Sequence, residues 1–298
     1  MYCSHICTLR ERFRLLQSSV GRVSEARYTG SMYFWNHSFV SPEENVAWDE
    51  ALVEIADRAS LVEGESSSPA DLEALRVWQF DSPTVVIGRG SRVNDEVYVD
   101  RCLADGVPVL RRASGGSTII AGPGCLMYSV LISYQKRPAW RGLDIAHHGV
   151  MTRVATATKK ALNAFHIPLT VDMQGTCDLT IQGQKFSGNA LRCKRNTMLY
   201  HGTILISMPL DWIDRYLREP PRQPDYREKR THRSFVRNLL SNDNVSFDEF
   251  ADQWIQAARE CWGASKTLED FPLQAELAEE HDRLMQTRYL DRNWHRER

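Results

Sequence analysis

The sequence predicts an α+β fold: a mostly antiparallel mixed sheet with helices packed on it. Three observations carry this reading. Apolar residues recur at helical spacing within 42–59 and about 144–165. Short alternating segments bounded by turn residues fill much of 75–133 and 178–207. After Val245 the pattern is helical throughout, with Trp254, Ile255, Ala258 and Trp262 followed by Leu273, Leu277 and Leu284.

The first forty residues differ from the rest. Five arginines (Arg10, Arg12, Arg14, Arg22, Arg27) stand against Glu11 and Glu25 among scattered serines, so residues 1–40 read as a disordered or spurious extension, with Met32 a natural alternative start. Order is expected from Ser41-Pro42-Glu43-Glu44, where Ser suits the N-cap, Pro the first helical position and Glu the third. Trp48, Ala51, Leu52 and Ile55 then make 42–59 an amphipathic helix, and Glu63 to Pro69 reads as loop. Strands follow at 75–80 and 84–87, parted by Asp81, Ser82 and Pro83. A helix over 95–105 stops at Gly106, and a strand at 107–111 leads into a glycine loop at 114–116. Further strands lie near 118–121 and 126–133. Val150, Val154, Ala157, Ala161 and Phe165 mark the helix 144–165. Strands 178–182 and 184–190 flank Gln182-Gly183 as a hairpin, and Leu199 to Ser207 completes the sheet. The Pro- and Arg-rich segment 219–233 reads as a loop, with a helix near 231–240 after it; within it Arg222-Gln223-Pro224-Asp225-Tyr226-Arg227 would close over the site, contact an acceptor domain or simply form a solvated charged connection. The body is thus 41–240, with 241–298 a helical segment on the same domain.

Composition bounds the function. The 298 residues are 42% hydrophobic and 25% charged, ordinary for a folded soluble chain. Lys plus Arg is 37 against 38 Asp plus Glu, a formal charge of −1, which gives no footprint for nucleic acid. No window approaches the roughly 18 apolar residues of a membrane span. Seven cysteines, at 3, 7, 102, 125, 177, 193 and 261, are never spaced CxxC. They fit neither a disulfide framework nor a zinc site, which points to a reducing, cytoplasmic setting. No secretory signal opens the chain.

Two stretches carry the chemistry. In Arg111-Arg112-Ala113-Ser114-Gly115-Gly116-Ser117-Thr118-Ile119-Ile120, a strand delivers two arginines to a small-residue turn. Adjacent glycines let backbone N–H groups approach a phosphate or carboxylate, and arginine supplies a cationic fork. In the second stretch, Gly175 to Ala190, a turn at 182–183 pairs Ile181 with Gln184 and Thr180 with Lys185. Period-two alternation then puts Asp178 diagonally beside Lys185 and sends Cys177 to the opposite face, unless the chain bends at Gly175–Cys177.

Together these stretches resemble the lipoate–protein ligase A family, within the wider group of biotin and lipoate protein ligases and octanoyltransferases. The resemblance runs from about Glu44 to Leu240. It rests on Asn45-Val46-Ala47-Trp48-Asp49-Glu50-Ala51-Leu52, Ile87-Gly88-Arg89, Arg111 through Gly116, Asp178 through Gly183, Lys185-Phe186-Ser187-Gly188 and Leu199-Tyr200-His201-Gly202-Thr203. It implies a biotin/lipoate ligase-like catalytic domain that joins lipoate or octanoate to ATP, with Mg²⁺, as an acyl-adenylate. The acyl group then passes to a lysine of a lipoyl domain, in 2-oxoacid dehydrogenase acyltransferase subunits or the glycine cleavage H protein. By similarity, Arg112, Gly115, Gly116, Ser117, Thr118, Ile119 and Ile120 would line the adenylate. Lys185 would contact both the carboxylate oxygen and the α-phosphate, while Arg111, Ser187, Gly188 and His201 would face the substrate. Asp178 would orient Lys185 or help hold Mg²⁺.

The resemblance also implies alternatives. Octanoyltransferases of this fold take the acyl group from acyl carrier protein through a cysteine thioester, without ATP, and Cys177 is the best-placed thiol here. A carboxylate beside it should raise its pKa. A third reading is a non-catalytic binder of lipoyl domains or lipoate. The family's usual histidine after the glycine loop is replaced within Ala121-Gly122-Pro123-Gly124, and the usual third glycine is Ser117. Biotin ligase itself fits less well, since Gly88-Arg89-Gly90-Ser91-Arg92 only partly imitates its arginine-glycine loop. After Arg288 to Trp294 the pattern leaves no room for the accessory domain of larger ligases, so either a separate accessory subunit would supply that part or the reaction would not need it.

Overall fold

The computed structural model describes residues 32–60, 72–240 and 244–296. The expectations for 1–31 and for the loop Glu63–Pro69 fall outside the described residues. Order begins earlier than Ser41, however. Met32–Asn36 is a strand, β1, with Met32 and Trp35 buried. The boundary at residue 40 is therefore corrected: β1 pairs in parallel with Ala74–Trp78 (β2) and with Ala264–Lys266 (β12). Met32 to Trp35 are four consecutive apolar residues without alternation, a pattern that a buried strand shares with a buried helix segment, so periodicity did not mark them as strand.

Helix α1, Pro42–Ala59, starts where its cap places it, with the Ser41 hydroxyl accepting from the Glu44 N–H. The strands that follow are β3 (Thr84–Ile87), β4 (Val109–Arg111), β5 (Ile119–Ala121) and β6 (Cys125–Ser133). The helix expected at 95–105 is broken into two short helices, Val93–Glu96 and Val99–Ala104, because Val97 is extended and bridges Leu217. Helix α2 runs Leu143–Ala164. Beyond it come β7 (Asp172–Gln174), β8 (Asp178–Ile181), β9 (Gln184–Ser187), β10 (Asn189–Cys193) and β11 (Thr197–Leu205). The strand expected over 184–190 is interrupted at Gly188. The helix expected near 231–240 shrinks to His232–Phe235, since Leu239 and Leu240 instead bond to the backbone of Leu205 and Ile206.

The single sheet of the sequence reading is three sheets. The largest has the order β10-β11-β6-β2-β1-β12, antiparallel from β10 to β2 and parallel beyond. A second is β4-β3-β5 and a third β7-β8-β9. Helix α3 (Phe247–Trp262) has a full capping box, Ser246 with Glu249, and stops at Gly263 in the left-handed region. Helix α4 (Gln274–Leu284) continues as a π-turn, Met285–Tyr289, before a short last helix, Arg292–Arg296. No helix among the described residues is long and apolar enough to cross a membrane.

Alternation splits the core. Leu75, Val77, Tyr128, Val130, Met198 and Tyr200 face one layer, closed by α2 and α3. Ala74, Trp78, Met127, Leu131 and Leu199 face the other, closed by α1, α4 and the second sheet. On that second face one row across three strands is polar: Arg76, Ser129 and His201 are register partners on β2, β6 and β11. Asp49 of α1 meets all three.

Candidate active site

A cavity of about 360 Å³ opens between the glycine loop, the 178–189 hairpin and the segment 217–236. Its walls are largely apolar, with Val86, Ile120, Met127, Leu199, Leu205 and Met208 among them, and Lys185 and Asp178 are among its charged lining residues. That form suits an acyl chain with a charged head.

The hairpin forms as its turn dictates. Gln182 and Gly183 both lie in the left-handed region (φ 52° and 75°), as a two-residue type I′ connection requires. Register follows, with Ile181 opposite Gln184 and Thr180 opposite Lys185. Lys185 Nζ sits 2.7 Å from Asp178 Oδ1, with the lysine side chain 28% exposed toward the cavity. Gly188 is needed beside it, because a Cβ there would lie 2.6 Å from Lys185 Cε. The other Asp178 oxygen accepts the Tyr226 hydroxyl at 2.7 Å.

Cys177 is corrected. It precedes β8 in a turn, 175–177, opened by Gly175 at φ 58°, and this bend brings it to the wall of the same cavity as Lys185 instead of the opposite face. The bend does not activate it. Burial first, then the Asp178 charge, push the thiol up to about 11, and it donates to the Asn189 carbonyl at 3.3 Å.

The two arginines part company. Arg112 lines the cavity, but its fork folds the loop: Nη2 donates to the carbonyls of Gly115 (2.6 Å) and Ser117 (3.0 Å), Nη1 to Val86 (3.1 Å) and Nε to the Ser114 hydroxyl (3.0 Å). Burial lowers it to about 10. Arg111, expected to bind substrate, is 1% exposed and faces away from the cavity. Its guanidinium donates to the carbonyls of Gly88, Arg89, Ser91, Trp294 and His295, so it ties the loop to the C-terminal segment. Adjacent strand residues point to opposite faces, a signal that could have separated the two.

Gly116 (φ 92°), Ser117, Thr118, Ile119 and Ile120 line the cavity, whereas Gly115 lies on an outer groove with Ser114. Ser187, Gly188 and His201 line the cavity as well. His201 Nε2 meets Ser114 Oγ at 2.6 Å and its Nδ1 meets Asp49 Oδ2 at 3.2 Å, so the histidine pins the glycine loop to the polar row. Burial raises Asp49, but the His201 hydrogen bond and the Arg76 and His201 charges outweigh it and hold the carboxylate below its ordinary value.

Sequence reasoning missed Glu96 and gave Glu50 no role, and it named Tyr226 only as part of a segment that would close over the site. Glu96 accepts both the N–H and the hydroxyl of Thr118, at 2.8 and 2.7 Å. Glu50 lines the cavity and is held by Arg288 and by the Tyr289 hydroxyl at 2.6 Å. For a metal, Asp178 is a poor ligand, since an ammonium and a phenol already take its two oxygens. No cluster of three or more His, Cys, Asp or Glu suited to a metal occurs among the described residues. The expectation that Asp178 holds Mg²⁺ is set aside on that ground.

Residues 41–259 match the family described as Lipoyl protein ligase A/B catalytic domain. A lipoate-protein ligase A of Psychrobacter cryohalolentis is 27% identical over 191 residues, 64% of this chain and 52% of that protein. Octanoyltransferase LipM of Carboxydothermus hydrogenoformans is 26% identical over 284 residues, 88% of this chain and 97% of that protein. The first curated relatives are matched over only 35% to 52% of their own length. Among solved structures, the bi-partite lipoate protein ligase from Thermoplasma acidophilum has the same fold, with a TM-score of 0.68 at 20% identity, covering 89% of this chain and 96% of that one.

Proposed function

Because the chain belongs to the lipoyl protein ligase A/B catalytic-domain family, we propose that it joins a lipoate- or octanoate-type acid to ATP and passes the acyl group to a lipoyl-domain lysine. In the first step a carboxylate oxygen attacks the α-phosphorus and pyrophosphate leaves. In the second the acceptor amine attacks the acyl carbon, AMP leaves and the amine loses a proton. Both steps gather negative charge beside the acyl head. Lys185 presents an ammonium, held by Asp178, to a cavity whose walls are largely apolar, and that observation carries the reading. Mg²⁺ enters with the nucleotide as part of the substrate. The acceptors expected are the lipoyl domains of 2-oxoacid dehydrogenases and the glycine cleavage H protein. The reducing, cytoplasmic setting belongs to the same proposal.

A transferase reading has one observation in its favour: Cys177 shares the cavity with Lys185. The pKa near 11 weighs against it, because almost no thiolate exists at neutral pH. The test mixes the protein with an apo lipoyl domain and either octanoate with Mg-ATP or octanoyl-acyl carrier protein without nucleotide, and reads product by intact mass. Product with ATP, and most activity kept in Cys177→Ser, is expected. Transfer only from the carrier protein, with a hydroxylamine-labile acyl group on Cys177, overturns the ligase reading. Binding of lipoyl domain without turnover from either donor leaves the binder reading in its place.

A further inference from the structure

The segment between β11 and α3 reaches back onto the catalytic hairpin, and one of its contacts is made to the carboxylate beside Lys185. Tyr226 sits on a single 3₁₀ turn, Asp225–Arg227, and its hydroxyl donates to Asp178 Oδ2 at 2.7 Å while Asp178 Oδ1 holds Lys185 Nζ at 2.7 Å. We propose that Tyr226 is a positioning residue of the acyl-transfer site: it fixes the plane of the Asp178 carboxylate and thereby the direction of the Lys185 ammonium. This rests on the reading that Lys185 supplies charge to the reaction.

The tyrosine is held too firmly for a surface contact. Arg230 Nη2 donates to the Tyr226 carbonyl at 2.8 Å, and Arg227 pairs with Glu219 at 2.6 Å. Both arginines lie over the Phe235 ring, which also packs on the Tyr226 ring at 5.3 Å. The next two residues, Glu228 and Lys229, are both left-handed, at φ 51° and 57°. Such strain in residues other than glycine persists only where the surroundings over-determine it. On the facing side Gly175 leaves the room required, since a Cβ there would stand 3.1 Å from the Tyr226 ring. Past Phe235 the chain closes on the lysine's own strand: the Arg237 N–H donates to the Lys185 carbonyl at 2.9 Å, and Val236 bridges Lys185 in parallel. The Lys185 backbone and the carboxylate that steers its head are therefore both set by one stretch of 12 residues, 226–237. Burial and the Asp178 charge push the phenol well above its usual range, so it stays protonated and remains a donor.

Two measurements test the assignment, one of them independent of turnover. In Tyr226→Phe the ring packing stays and only the hydroxyl goes. Loss of one hydrogen bond to a charged group should slow acyl transfer on the order of tenfold, through kcat rather than KM. In Asp178→Asn the same second change should cost nothing further, because the phenol acts through that carboxylate. Lys185 should also react several-fold faster with an amine-acylating reagent in Tyr226→Phe, read by peptide mass against Lys160 as internal control. Wild-type kcat and wild-type labelling in Tyr226→Phe, or a full additional loss in the double variant, overturns the proposal. If wild-type protein turns over neither donor, the functional reading fails by itself and the labelling still decides: a rise upholds the positioning role, and no change ends it.

Discussion

Replacing Lys185 by alanine removes the ammonium that meets Asp178 in the cavity. Losing a preorganised charge of this kind costs on the order of 10²–10³-fold in rate. Lys185→Ala should therefore nearly abolish acylation of an apo lipoyl domain while the melting temperature moves little. Near wild-type turnover would remove the lysine from the mechanism. Its position was legible in the sequence because a two-residue turn fixes the pairing of Thr180 with Lys185; an irregularity between Leu179 and Thr180 then shifts the register before Asp178, which still reaches the ammonium. The contact of Tyr226 with Asp178 was not legible, although the segment that carries it was expected to close over the site. The tyrosine lies 48 residues from Asp178 along the chain and shows no periodicity that points to it. Arg111 and Arg112 are neighbours at the end of one strand, so alternation sends their side chains to opposite faces and only Arg112 lines the cavity. Cys177 shows where the rule ends, because its strand begins only at the next residue.

Among the elements, β1 makes the clearest prediction. It lies between β2 and β12, and it buries Met32 and Trp35. A chain started at Ser41 would lose about 1.5–3 kcal/mol for each such side chain and would leave two strand edges unpaired. We expect its melting temperature to fall by about 10 °C or more in a thermal scan. Unchanged melting would mean that β1 is dispensable to the sheet. Helix α1 was readable end to end, because Ser41 marks its start with local chemistry, whereas the continuous helical pattern after Val245 did not show that α3 stops at Gly263. The short helices around Val97 and the brief strand β12 were not. Their form is set by partners far along the chain, Leu217 for one and Met32 for the other.

At the scale of the whole molecule, Asp49 joins helix α1 to three strands through Arg76, Ser129 and His201. Its folded pKa lies below the unfolded value of about 4, so the stability it contributes is full above that pH and is lost as pH falls further. Asp49→Asn should flatten the acid limb of a plot of urea-unfolding free energy against pH. An unaltered slope below pH 4 would show that the acid sensitivity arises elsewhere. The sequence conveyed the α+β class and most strands. It did not convey that they divide into three sheets, because which strands adjoin is a matter of long-range pairing. The grip of the C-terminal segment on Arg111 bears also on how the protein is made. The Arg111 N–H donates to His295 across 184 residues, and the same guanidinium closes the glycine loop onto Trp294 and His295. At roughly 5–20 residues per second, the ribosome leaves that arginine waiting about 10–40 s for its partners. Through that interval the guanidinium can bond only the carbonyls of Gly88, Arg89 and Ser91, so the glycine loop gains its last anchors when Trp294 and His295 emerge, and chaperone attendance should be greatest before then.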